Sequence, residues 1–558
     1  MGGALLNLIA ASNNEAQYFI GNPQTSFFYT TFNQFCNFGM QKFRIDYTDN
    51  KRLQENSSTE FVFNVPRHAD LLNDTYLVVD LPNIWSPIYT ETVIDDDGAE
   101  ITNNFPFEFR WIKNIGSSLI EEVSIYADGT KLQSYSGQYL RNMVERDFEK
   151  SKKELFYKMI GHEPALYDPA RATNNGFYPN ASGSSSPTVN PSINRRSLYI
   201  PLNSWFSLST YQSLPLISTQ YNNIIIKIRI RPLRDLYTVR NLDMPNITSM
   251  SFDSVPFIKP PATPKYSFKN FLHPPTKPEM DLTDFAKIDN RGPDFNIHLI
   301  CTQTFLDERI RQQLANFEQT YLIKEVRELT IYDIVENAKI DTESHCLATS
   351  WMWYMQRSDI GDRNEWTNFT NLKYEPPNKY GNVYAFDLIT SSPTPQTVSD
   401  LTNTPIYITP EYEMDHERRI LNTVAILCDG AYRENTFDYG VFDFIEKYAR
   451  TGGGAAADIE GLYCYNFTLN SDPTVIQPHG LFNSNFFKTT EMEITTIKPE
   501  FNPDNDVKVV CDPTTGEILS VTKSNKQLYK YSFNFVLQEE SYNILTFKNG
   551  MVSLKYAS

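Results

Sequence analysis

A chain of 558 residues is too long for a single hydrophobic core and suits roughly two to four domains. Its 50 basic and 67 acidic residues leave a formal charge of −17, which argues against a protein that coats nucleic acid directly, because neutralising phosphates takes concentrated Lys and Arg. Tyr and Phe are abundant (33 and 37), and 33 Pro with 23 Gly punctuate many short apolar runs, a balance that favours an all-β chain rich in turns.

Residues 1–40 form an apolar arm whose first charge is Glu15. Its start, Met-Gly-Gly-Ala-Leu-Leu, has no basic n-region, so a secretory signal is not expected. Leu6 stands where a myristoylation signal needs Ser or Thr, and no apolar run approaches the ~20 residues that span a bilayer. Gly21-Asn22-Pro23 sets a turn between two aromatic runs; packing on its own domain and docking on a neighbour both stay open for this arm. Strands are predicted at Thr59–Val65, at Thr75–Leu81 and from Phe107 through Tyr126, the last turning at Asp128-Gly129. Tyr139, Leu140, Met143, Val144 and Phe148 then share one face of an amphipathic helix, which Leu155 to Ile160 extends. Residues 164–196 are rich in Asn, Ser, Pro and Gly and read as an exposed loop. From Ile224 to Arg231 the pattern alternates cleanly, and residues 234–292 look like a long Pro-rich insertion before the last strand of the first domain.

The chain changes period at its middle. Ile297–Cys301 is β-type; from Leu306 the apolar residues Leu306, Ile310, Leu314 and Phe317 fall at helical spacing, with Asp307 and Glu308 where the helix dipole favours anions. From Tyr321 the strand pattern returns. A seam between two β-sandwiches follows, with the boundary between Leu306 and Tyr321. Strands are then expected at 321–334, 346–356, 382–388, 404–409, 421–428, 460–469, 491–498, 506–511, 517–522, 528–537 and 542–547, and no helix is expected among them. The expected division is an arm at 1–26, a first sandwich at 27–306 with the insertions 164–196 and 234–292, a helical linker at 307–320 and a second sandwich at 321–558.

Chemistry-bearing patterns are sparse. The six cysteines, at 36, 301, 346, 428, 464 and 511, show no ligand spacing and read as buried thiols of a protein folded in a reducing compartment. The His residues lie far apart and form no HxH or HExxH, and neither a nucleophile elbow nor a P-loop is present. Asp95-Asp96-Asp97-Gly98 lacks the spacing of a calcium loop and reads as a solvated acidic turn. Thr451–Ala457 is Gly-rich but carries no Lys, which argues against a phosphate cradle. Lys227, Arg229 and Arg231, with Arg234 and Arg240 beyond, make one basic stripe, either a wet sheet face or a domain or subunit contact. Trp351 and Trp353 fit a sugar-binding strand or a core. Sequons stand at Asn56, Asn73, Asn180, Asn246, Asn368 and Asn466. No residue is assigned a catalytic, cofactor-binding or metal-binding role, and no cofactor is expected.

Several stretches nonetheless match a known pattern. They are Gly21-Asn22-Pro23-Gln24-Thr25 with Phe27-Phe28 and Asn37-Phe38, Trp111-Ile-Lys-Asn-Ile-Gly116, Leu198-Tyr-Ile-Pro-Leu202 with Trp205-Phe206, Phe305-Leu-Asp307, and Tyr542-Asn543 with Gly550-Met551 near the end. In these the chain resembles the major capsid proteins of the nucleocytoplasmic large DNA viruses, in particular the algal-virus and mimivirus-like members. It departs from them at Asn33-Gln34, where an Arg pair is usual, so no Arg-mediated contact of the arm is carried over. His345-Cys346 keeps a His-Pro segment only loosely, and Val552-Ser553 replaces a Gly-Gly.

The resemblance implies an all-β double jelly roll of two consecutive eight-stranded antiparallel sandwiches, with short helices and long loop insertions. It implies a structural protein rather than an enzyme: a homotrimer forming pseudo-hexagonal capsomers that tile an icosahedral shell over an inner viral membrane. Neighbouring capsomers, minor capsid proteins and penton proteins are the implied partners, without direct nucleic-acid binding. The implied location is the virion, assembled in the host cytoplasm. A minor capsid paralogue of the same fold, a two-jelly-roll glycan hydrolase with acids converging between the domains, and a β-sandwich adhesion module are the competing readings.

Overall fold

Strands form where β-branched and aromatic residues alternate with polar ones, and sixteen of them build two sandwiches of matching strand order. The computed structural model describes residues 2–10, 30–32, 35–49, 51–94, 100–172, 177–181, 189–243, 255–287, 295–372, 382–383, 406–407, 418–453, 460–500, 502, 508–511, 518–522 and 528–556. The first sandwich contains β1 (Phe38–Asp46), β2 (Thr59–Asn64), β3 (Leu71–Leu81), β4 (Ile120–Ala127), β5 (Thr130–Tyr135), β6 (Leu214–Pro215), β7 (Ile224–Ile230) and β8 (His298–Leu306). Its antiparallel sheets run β1-β8-β3-β6 and β2-β7-β4-β5.

The second sandwich contains β9 (Gln319–Ile334), β10 (Asn337–Asp341), β11 (Leu347–Arg357), β12 (Leu421–Cys428), β13 (Ala431–Asp438), β14 (Leu462–Asn466), β15 (Thr490–Thr496) and β16 (Phe533–Lys548). Its sheets run β9-β16-β11-β14 and β10-β15-β12-β13, also antiparallel. Each strand of the first sandwich therefore has a counterpart eight labels later. This is a jelly roll made twice, as expected.

The alternation at Ile224–Ile230 works as read: the isoleucines at 224, 226, 228 and 230 are buried, and Lys227 and Arg229 face outward. One core centres on Phe61, Phe63, Phe107, Phe109 and Trp111, another on Trp351, Trp353, Phe533, Phe535 and Leu537. Between the sandwiches α4 (Glu308–Asn316) starts at Asp307, whose side chain accepts from the Glu308 N–H. It lies at the surface with no buried residue, so its apolar positions do not point into a core.

The structure corrects several expectations. Among its described residues the insertion 234–292 contributes core material: Tyr237, Val239, Tyr266, Phe268 and Phe271 are all buried, and the strand Tyr237–Arg240 pairs with Phe109–Trp111. Its prolines shape short turns whose aromatics point inward. The stretch 164–196 also contributes burial, through Leu166, Ala181 and Ile193, and Tyr178 donates to the Phe109 carbonyl at 2.6 Å. The run from Phe107 is broken by the helix Ile115–Leu119, which enters at Asn114 with φ +54°. The helix expected from Tyr139 is two helices, α2 (Gly137–Asp147) and α3 (Lys150–Met159), because Phe148 is extended.

In the second half the polar strand β13 and a helical segment, the π-turn Val441–Ile445 leading into α5 (Glu446–Arg450), were not expected. The strands expected at 528–537 and 542–547 are one strand, β16, which begins only at Phe533. At the start of the chain, α1 (Gly3–Ala10) exposes Leu5, Leu6 and Ile9. The Gly21-Asn22-Pro23 turn, Asn33-Gln34, Asp95–Asp97, Asn246 and Ala455–Ala457 lie outside the described residues, and of Cys511 only the backbone, in the strand Lys508–Cys511, is described.

Candidate functional site

The most elaborate polar constellation lies where the first sandwich meets the second. The hairpin β4–β5 ends at Ser136, whose hydroxyl caps α2 by accepting from the Tyr139 N–H at 3.1 Å. Every residue of α2 is buried. Its apolar side chains Leu140, Met143 and Val144 join the same cluster as Met352, Tyr354, Cys464 and Val536, which stand on the outer face of the β9-β16-β11-β14 sheet. That sheet is thus covered on both faces, by its own sandwich and by the first.

A chain of hydrogen bonds runs through this contact. The Ser136 hydroxyl donates to Glu328 at 2.5 Å, and Gln538 donates to the same carboxylate oxygen at 2.8 Å. Asn142 donates to Gln538 at 3.0 Å and Tyr139 to Glu540 at 2.8 Å. Arg146 sits at the centre. Its guanidinium donates to Asp147 at 2.7 Å, to Glu540 at 2.8 and 3.0 Å, and to Ser350 at 2.9 Å. Ser471 completes the line by donating to Asp147 at 2.5 Å. Arg146, Asp147 and Glu540 have essentially no solvent exposure.

The electrostatics follow from burial and partners. Burial alone would raise the Glu540 carboxyl, but Arg146, Lys324 and hydrogen bonds from Ser350 and Tyr139 override it and hold it at about 2. Burial pushes Asp147 up, against the pull of Arg146 and with the help of nearby Glu540. Burial likewise raises Glu328 and Glu145, despite the Ser136 and Gln538 bonds to the former and Lys153 beside the latter. Such a network fixes geometry. Each group of the central triad is enclosed by its partners. What it does chemically is hold two sandwiches in one orientation.

A cleft of about 1060 Å3 also opens between the halves. Lys113, Arg141, Lys158, Arg171 and Arg418 line it together with Glu154, Glu163 and Glu460. Two of those acids are engaged: Glu163 by Arg196, and Glu460 by Arg418 at 2.7 Å.

The basic stripe divides. Arg229 pairs with Glu121 and Glu122 on a solvated sheet face, and Lys227 lies over the Tyr126 ring at 4.8 Å. Arg231 instead reaches the second half, 4.3 Å from the Trp366 ring, so it is a domain contact. Arg240 is buried against Glu108 at 2.9 Å, and Arg234 approaches Glu55 at 3.8 Å. Trp351 and Trp353 are core residues, which removes the sugar-site reading; the Trp351 indole N–H donates to Glu539 at 2.9 Å.

Of the sequons, Asn73, Asn368 and Asn466 are buried, Asn180 is partly buried and Asn56 is exposed. Cys301, Cys428 and Cys464 are buried free thiols and Cys36 is exposed. Among the described residues no cluster of His, Cys, Asp or Glu is arranged to hold a metal ion, and no helix is long and apolar enough to cross a membrane. Sequence reasoning found the apolar face of α2 but missed Arg146, Glu328 and Glu540, because a charged residue on a helix or strand reads as solvent-facing until its neighbour is known.

The fold by itself defines a double jelly-roll protein. It matches the Faustovirus major capsid protein with a TM-score of 0.60 at 12% identity, covering 94% of this chain and 93% of that one. It matches the capsid of the virus PBCV-1 with a TM-score of 0.58 at 14% identity, covering 96% and 100%. In sequence, residues 26–266 fit the family described as the major capsid protein N-terminus. The major capsid protein of Chrysochromulina ericina virus is 27% identical over 259 residues, 43% of each chain. Capsid protein 1 of Acanthamoeba polyphaga mimivirus is 26% identical over 255 residues, 46% of this chain and 39% of that protein. The chain thus spans less than half the length of these curated relatives. Over its first half the chain is similar to the major capsid proteins of large DNA viruses.

Proposed function

We propose that the chain is a structural subunit of an icosahedral shell, three copies of which form a pseudo-hexagonal capsomer. The observation that carries this is the junction at α2. It locks two sandwiches of the same strand order into one body, so each copy brings two similar building faces. The family and the fold point the same way, to a structural and non-enzymatic role. In this reading residues 1–26 are a docking arm, residues 27–306 and 321–558 are the two jelly rolls, and residues 307–320 connect them; no strand pairing crosses the connection among the described residues. Its partners are neighbouring capsomers, minor capsid and penton proteins, with the inner viral membrane nearby. The shell assembles in the host cytoplasm and does not contact nucleic acid directly.

Light scattering on the purified protein tests the reading. Three copies of a 64.4 kDa chain give about 190 kDa. A stable monomer overturns it. The mimivirus relatives include both a capsid protein 1 and a probable capsid protein 4, which keeps a minor paralogue in view; abundance in purified virions separates a major from a minor subunit.

A further inference from the structure

We infer that the cleft between the halves binds a small phosphate-bearing polyanion, which bridges the two sandwiches alongside the α2 network. The site is independent of how many copies of the chain assemble.

Charge points to the ligand. The chain as a whole is strongly acidic, at −17, yet the cleft wall presents Lys113, Arg141, Lys158 and Arg171 from the first half and Arg418 from the second. Against these five cations stand three carboxylates, Glu154, Glu163 and Glu460. Glu163 is already met by Arg196, which lies outside the wall, and Glu460 by Arg418. An excess of positive charge in a concave surface focuses anions there.

Geometry narrows the class. Arg141 stands on α2 and is only 4% exposed, its guanidinium 5.4 Å from the centre of the Phe369 ring. The planar fork of donors suits phosphate oxygens. Lys113 lies 5.6 Å from the Tyr167 ring, and the Tyr157 and Tyr167 rings each stand 5.2 Å from that of His162. Rings beside the cations lower the local dielectric and strengthen their pull on an anion. The Asn114 amide donates to Thr367 at 3.4 Å, which ties the two walls together. At about 1060 Å3 the cleft is far larger than a single phosphate needs and lies at the upper end for small-molecule sites. A short chain of phosphates carries several charges on a compact frame and reaches cations of both halves at once. Inorganic tripolyphosphate and a nucleoside triphosphate share that chemistry.

Isothermal titration calorimetry of the full-length protein, with tripolyphosphate and ATP as separate probes, tests this at about 0.15 M salt. Each probe is expected to bind once per chain and to raise the melting temperature. Lys158→Glu and Arg171→Glu alter exposed side chains, so circular dichroism and melting without ligand should match wild type. Each should weaken binding about tenfold, the worth of one charge-assisted contact. Lys498→Glu, an exposed charge outside the cleft, should bind like wild type. ATP no tighter than tripolyphosphate assigns the phosphate chain alone; tighter ATP assigns a nucleotide whose base meets the aromatic wall. The inference is overturned by absence of saturable binding, by wild-type affinity in both cleft variants, or by equal weakening in Lys498→Glu. An oligoglutamate peptide that binds more tightly than either probe also overturns it. None of these outcomes bears on the trimer, whose test is native mass.

Discussion

Replacing Arg146 with Met removes the one cation that both Asp147 and Glu540 share, at 2.7 and 2.8 Å, in a site closed to solvent. The guanidinium makes contacts to Asp147, Glu540 and Ser350, and charge-assisted hydrogen bonds of this type are worth about 1.5–3 kcal/mol each before desolvation is counted. Much of that gain offsets the cost of burying the three charges. The net worth of the intact network is therefore small, but removing one partner strands two buried carboxylates, a loss of about 3–5 kcal/mol. Arg146→Met should cost that much in guanidinium unfolding, with the transition splitting as the sandwiches uncouple. Adding Asp147→Asn and Glu540→Gln removes the stranded charges and should restore most of the loss. A single variant that loses less than about 1 kcal/mol, or a triple variant no better than the single, would refute the account of a coupled buried network.

Acid should act late. Glu540 and Asp359 are held at about 2 despite burial, the first by Arg146 and the second by Arg357 and Arg363, against ordinary values of 4.5 and 3.8. Lowered carboxyls contribute stability above their ordinary values and lose it as pH falls towards 2, whereas Asp147, Glu145 and Glu328, raised by burial, bind protons more tightly when folded and do not weaken the fold in mild acid. The melting temperature should hold down to about pH 5 and drop below it; a fall between neutrality and that point contradicts the assignment. Gly550 has φ +77°, and a Cβ there would stand 2.6 Å from the Tyr221 ring, so Gly550→Ala should cost about 1–2 kcal/mol and speed amide exchange in residues 549–556. Burial pushes the thiols of Cys346 and Cys464 up to about 12 and that of Cys301 to about 11, so a thiol reagent on native protein should label exposed Cys36 well before these three. Deleting residues 1–26 should leave the trimer intact and abolish shell assembly, since the arm precedes both sets of jelly-roll strands; loss of the trimer, or normal shells, contradicts this.

Much of the architecture was legible in the residues because strand periodicity is a local property. The buried isoleucines of β7, the change of period after Leu306, the aromatic alternation that opens β16 and the apolar face of α2 each follow from a few consecutive side chains. The recurring stretches from Trp111 to Gly116 and from Leu198 to Leu202 likewise carried the family resemblance. What the local pattern does not contain is the identity of the neighbour. Residues 234–292 read only as a long Pro-rich insertion, yet Tyr266, Phe268 and Phe271 lie buried once the turns bring them round. Strand β13, Ala-Tyr-Arg-Glu-Asn-Thr-Phe-Asp, shows no alternation because neither of its faces meets a core in this chain. Arg146, Glu328 and Glu540 are ordinary surface residues by type, and only the approach of α2 to the outer face of the β9-β16-β11-β14 sheet removes water from them. Periodicity reports which side of an element is apolar; a buried charge is stable only through partners hundreds of residues away, and that pairing exists only in the tertiary structure.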